Sequence, residues 1–173
     1  FHSETKFITE RVTETLGDLY AMHWPYKQHK TSRDQKKLPF HESLKNKGAC
    51  FGQVAGFERP MWFAINGSKP EYNYSYGYQN WYKSAEHETI NTRKHVGLFD
   101  LSAFAKFEIQ GSEAFSDLQL LCSNNIKNIP GQTTYTQMLN NKGGIEADLT
   151  VTCINLNLFR IITGSAVREH DKK

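Results

Sequence analysis

The strongest constraint on this chain lies between residues 133 and 163, where three extended segments are separated by two turns. In the middle segment, Ile145, Ala147, Leu149 and Val151 alternate with Glu146, Asp148, Thr150 and Thr152. A period of two puts the first set on one face of a strand and the second set on the other. "NKGG" before it reads as a hairpin turn from "TTYTQMLN", and "NLN" after it leads into "LFRIIT". A sheet with one apolar face needs cover. Residues 112–122 supply it as a helix, with Ser112 as N-cap and Phe115, Leu118 and Leu121 on its apolar side. "AKFEIQG" alternates as a further strand with a glycine stop. Helices mixed with a hairpin, without a strict βαβ rhythm, indicate an α+β fold.

The first half is less regular. Phe7, Ile8, Val12, Leu16, Leu19 and Tyr20 recur at helical steps, so residues 4–20 read as a helix. The polar "KQHKTSRDQKK" reads as an exposed loop, and residues 39–47 as a short helix stopped by Gly48. "GACFGQVAGFERPMWFA" is dense in aromatics and glycines. Residues 65–78, with two Gly, one Pro and four Tyr, read as a long connection. A boundary is placed there, giving segments 1–64 and 65–173. Residues 81–95 read as a helix ended by Gly97.

Hydrophobic residues at 38% and aromatics at 13% support a packed core. The net charge of +3 comes from scattered lysines and arginines, which argues against a nucleic-acid partner. No apolar run approaches the roughly 18 residues of a membrane span. Cys50, Cys122 and Cys153 are far apart and odd in number, which predicts reduced thiols. Residues 1–6 hold no secretory h-region, and both ends read as cuts within a longer polypeptide.

General chemical motifs are missing. The chain has no GxGxxG dinucleotide fingerprint, no GxxxxGK[ST] phosphate loop and no GxSxG elbow. His23 and His29 lack a cysteine partner, so no metal site is expected. Asp148 is unusual, because Asp is disfavoured in strands. It could be a solvated strand residue or a carboxylate offered to a ligand. Tyr135, on the preceding strand, could be a cross-strand packing partner or an aromatic wall against a flat ring. Asp100 reads as a turn carboxylate, and Glu58-Arg59-Pro60 as a packing anchor with a local ion pair. Composition and periodicity stop there, at an α+β domain with one polar strand face.

Longer motifs go further. "AEHETINTRKHVGLFDLSAFAKFEIQG", "LCSNNI" and "YTQMLNNKGGIEADLTVT" occur in the order found in the dimethylglycine and sarcosine dehydrogenases, which the chain resembles. The C-terminal half of those enzymes is related to the glycine-cleavage T-protein, an aminomethyltransferase. Upstream, "LYAMHWP", "TSR", "LPFHESLKNKGACFG" and "GFERPMWFA" are similar to the region joining the flavin domain to the transferase half. The resemblance implies that residues 1–64 end the central region of a flavin oxidoreductase. It implies that residues 65–173 begin a folate-binding aminomethyltransferase-like domain, left incomplete. It further implies that FAD is held only by the full-length protein, whose flavin domain is a partner in cis. Tetrahydrofolate would then capture the one-carbon unit taken from a methylated amine as 5,10-methylenetetrahydrofolate.

By the same resemblance Asp148 matches the family's catalytic, folate-contacting Asp. Tyr135, Thr150 and Thr152 match the lining of that pocket, and the rest of the site lies beyond Lys173. The implied setting is the bacterial cytoplasm or, in a eukaryote, the mitochondrial matrix. Two alternatives share the scaffold: a stand-alone aminomethyltransferase or demethylase, and a non-catalytic regulatory subunit of the pyruvate dehydrogenase phosphatase type.

Overall fold

The computed structural model describes residues 4–24 and 27–172. The chain is α+β and forms two compact units, one running to Ala103 and the other beginning at Phe104.

The first unit holds α1 (Thr5–Gly17), β1 (Lys36–Lys37), α2 (His41–Asn46), β2 (Ala49–Val54), β3 (Phe57–Phe63) and α3 (Tyr82–Lys94). Its sheet has the order β1-β3-β2, with β1 parallel and β2 antiparallel to β3. The aromatic, glycine-dense segment is therefore a hairpin. Ala55 and Gly56 both take positive φ, 53° and 79°, the requirement of a tight turn that matches strand twist. Trp62, Ala49, Cys50 and Leu38 are buried. Residues 65–81 contain no helix or strand. Instead Tyr72 stacks on Tyr74 at 5.6 Å, and Trp81 meets Tyr72 edge-on at 5.0 Å.

The second unit holds β4 (Ala105–Gln110), α4 (Ala114–Leu121), β5 (Thr133–Leu139), β6 (Ile145–Asn155), β7 (Leu158–Thr163) and α5 (Arg168–Asp171). The strands form an antiparallel sheet in the order β4-β7-β6-β5. The core joins Leu149, Val151, Cys153, Phe159 and Ile161 of the sheet to Ala114, Leu118 and Cys122.

Three expectations are corrected at the edges of these elements. Ser112 is not the N-cap: α4 begins after Glu113, and no side chain caps it. Leu121 is exposed, because Ala114, Leu118 and Cys122, four apart, already fill the side toward the sheet. Ile145 is 67% exposed, although it shares the parity of Leu149 and Val151. The register slips between Met138↔Ala147 and Leu139↔Ile145, so Ile145 lies past a bulge, beyond the cover of the core.

Candidate functional site

The antiparallel register of β5 and β6 assembles the site. Tyr135 lies opposite Thr150, Gln137 opposite Asp148, and Thr133 opposite Thr152. Ala147, Leu149 and Val151 are buried between these positions, so the pleat turns Asp148, Thr150 and Thr152 to the other side of the sheet. Asp148 is exposed, Thr150 and Thr152 are half-buried, and the Tyr135 ring is 59% exposed. All four residues identified from sequence therefore share one open face.

One donor is in place on the Asp148 carboxylate: Gln137 Nε2 donates to Oδ1 at 2.9 Å. The nearby Tyr135 hydroxyl first, and the Gln137 bond second, hold the carboxyl below the usual Asp range. The carboxylate in turn pushes the Tyr135 hydroxyl above the usual phenol range. An ionised carboxylate offers about four lone-pair positions. With the Gln137 bond made, Asp148 is an acceptor with capacity left over. A donor from the neighbouring strand explains how Asp is tolerated in mid-strand.

Hydroxyls and an ion pair extend the face. Thr133 Oγ1 and Thr152 Oγ1 are 2.8 Å apart. Across β6, Thr152 faces Arg160 of β7, whose Nη2 donates to Glu108 Oε1 at 2.8 Å. The arrangement can accept a hydrogen bond from a ligand N–H at Asp148 and present the Tyr135 ring to a flat group.

Sequence reasoning missed Gln137, and the bulge is the reason. Counting straight back from Leu139↔Ile145 would bring Thr136 opposite Asp148. The slip next to Met138 brings Gln137 there instead and leaves Thr136 fully buried. Nothing in the residue pattern marks that slip.

Two other residues read from sequence are structural. Asp100 Oδ1 accepts from Ser102 N at 2.9 Å, as a turn carboxylate does. Glu58 is an ion-paired anchor, but its partner is Arg33 rather than its neighbour Arg59.

The family model described as GCVT N-terminal domain matches residues 40–173, and that described as FAD dependent oxidoreductase central domain matches residues 1–37. The chain is 41% identical over 163 residues to 4-methylaminobutanoate oxidase (formaldehyde-forming) of Paenarthrobacter nicotinovorans, covering 94% of this chain and 20% of that protein. It is 33% identical over 171 residues to human mitochondrial sarcosine dehydrogenase, covering 85% and 19%. The chain thus spans about a fifth of the length of these relatives. Among solved structures it is similar to the glycine cleavage system aminomethyltransferase T from Bartonella henselae. The TM-score is 0.63 at 26% identity, over 79% of this chain and 33% of that one.

Proposed function

The chain belongs to the GCVT N-terminal domain family, and from that premise we propose that it supplies one wall of a tetrahydrofolate site in a longer flavin-dependent dehydrogenase of N-methylated amino acids, of the dimethylglycine or sarcosine type. The observation that carries this reading is Asp148: an exposed, ionised carboxylate held by the Gln137 amide on an open sheet face beside Tyr135.

The residues suit a folate. Tyr135 offers a ring face to a flat pterin or aminobenzoyl group, and Thr150 and Thr152 offer hydroxyls beside it. When bound, tetrahydrofolate supplies the nucleophilic amine that takes up the one-carbon unit. Asp148 accepts the hydrogen bond of that amine's N–H and so orients it. Because its proton affinity is depressed, Asp148 acts first as an orienting, charge-stabilising group. With folate bound, Asp148 would also be the group placed to receive that amine's proton.

Flavin chemistry is assigned to polypeptide outside this chain, and α1 supports a contact with it. Ile8, Val12 and Leu16 leave an exposed apolar stripe, with Leu16 64% exposed. The match of residues 1–37 to a flavin oxidoreductase domain supports the same contact. The names of the relatives support an N-methylated amino acid as substrate.

The test is Asp148→Asn in the full-length flavoprotein. Flavin bleaching by sarcosine or dimethylglycine should persist. Capture of the one-carbon unit as 5,10-methylenetetrahydrofolate should fall roughly 10- to 100-fold, the loss of a charge-assisted hydrogen bond, with formaldehyde released instead. Capture at the wild-type rate would overturn the reading.

A further inference from the structure

The motif "LCSNNI" takes no direct part in the site described above, yet the structure ties it to Gln137, the residue that donates to Asp148. β5 is an outer strand of its sheet, with β6 on one side only. On its other side, the segment after α4 grips it at consecutive residues. Ser123 N donates to Gln137 O at 2.8 Å. Asn124 N donates to Thr136 Oγ1 at 3.1 Å, and Asn124 Nδ2 to Tyr135 O at 3.0 Å. Cys122 forms an isolated antiparallel bridge with Met138. The grip covers the stretch of β5 that carries Tyr135 and Gln137.

We infer that Gln137 is a positioning residue for Asp148: its side-chain amide, carried opposite Asp148 by the register on a backbone that Ser123 and Asn124 hold from outside, fixes the carboxylate rotamer so that the free lone pairs face the ligand. The inference takes its ligand from the folate reading and its geometry from the register alone. A lone exposed aspartate would sample several rotamers. Binding through it would then cost the entropy of selecting one, which a preset partner removes. Gln is suited to the task. It spans the cross-strand gap, donates without carrying charge, and does not compete for the proton.

Tyr135 faces Asp148 from β5. Glu146, two residues back on β6, is held by Asn140 Nδ2 at 2.7 Å and lies 3.7 Å from His170 Nε2 of α5. From β7, Thr163 Oγ1 donates to the Asp148 backbone carbonyl at 3.4 Å.

The experiment uses the full-length flavoprotein for binding and this chain, labelled at aspartate with 13C, for titration. The binding probe is 5-formyltetrahydrofolate, which does not accept a one-carbon unit. Gln137→Leu should weaken binding about 3- to 10-fold, the range of one neutral hydrogen bond. It should also move the 13Cγ titration of Asp148 upward in pH. Flavin bleaching should stay at the wild-type level. Gln137→Glu, nearly isosteric, places a like charge directly opposite and should exceed Leu in both effects. Both sites are on the open face, so folding is retained, which circular dichroism checks. Wild-type affinity in Gln137→Leu, with Asp148→Asn weakened, would overturn the positioning role and leave the folate reading intact. Wild-type affinity in Asp148→Asn would overturn the folate reading. The Asp148 titration in Gln137→Leu would then judge the positioning inference alone, and an unmoved titration would overturn it.

Discussion

Arg33 and Glu58 meet edge to edge: Nε donates to Oε1 at 2.9 Å and Nη2 to Oε2 at 2.6 Å. The side chains differ in burial, with Arg33 26% exposed and Glu58 1%. Burial by itself would raise the Glu58 pKa. The bonds from Arg33, Asp34 N and Gln53 Nε2 outweigh it and lower the value. This asymmetry predicts unequal mutants. Arg33→Ala strands a buried carboxylate and should cost about 3–5 kcal/mol. Glu58→Leu leaves an arginine that can reach water and should cost less. Urea unfolding of each variant measures the two costs, and equal costs would contradict the difference in burial.

Glu14 gives a pH prediction. Burial acts to raise its pKa, but hydrogen bonds from the Thr31 hydroxyl and from Lys30 N and Thr31 N outweigh it and bring the value to about 2. The backbone bonds are 2.7 Å and 3.0 Å. A carboxyl whose folded pKa lies below its ordinary 4.5 contributes stability above that pH and loses it as pH falls toward about 2. The link between α1 and the loop at Lys30 should therefore loosen between about pH 4.5 and 2. Amide exchange at Lys30 and Thr31, corrected for intrinsic rates, should show protection falling through this window. Glu14→Gln should abolish the dependence.

The cysteines give a chemical prediction. Cys50, Cys122 and Cys153 are free and buried. Burial pushes the Cys50 thiol up to about 11, against a modest lowering by Arg33. Thiols that are buried and protonated are poor nucleophiles. An aromatic disulfide reagent at pH 8 should find almost no thiol in the folded chain and all three after denaturation. Fast reaction of one thiol in the native state would show that its surroundings open.

The second unit was the more legible in sequence, for a physical reason. Its strands are half-buried, so Asp148, Thr150 and Thr152 alternate visibly with Leu149 and Val151, and the hairpin turn announces itself. The β2–β3 hairpin was less visible. Glu58 and Trp62 are both buried on a hairpin that also holds glycine and proline, and no polar–apolar alternation survives. Asp148 and Tyr135 could be picked out because composition and motif mark them. Gln137 shares the Tyr135 face by alternation, but which residue stands opposite Asp148 depends on the strand register, and the residue pattern does not mark the slip beside Met138.

The contacts that Ser123 and Asn124 make along β5 also bear on solubility. "TTYTQML" is rich in β-branched and aromatic residues, carries no charge and no proline, and lies on a sheet border. Such a segment is suited to adding strands from other molecules, the first step toward cross-β aggregates. Here the outward carbonyls of Tyr135 and Gln137 are already taken by Asn124 and Ser123, and Met138 is bridged to Cys122. A second copy finds no free ladder at the middle of the strand, so the border is closed to recruitment by the chain's own backbone.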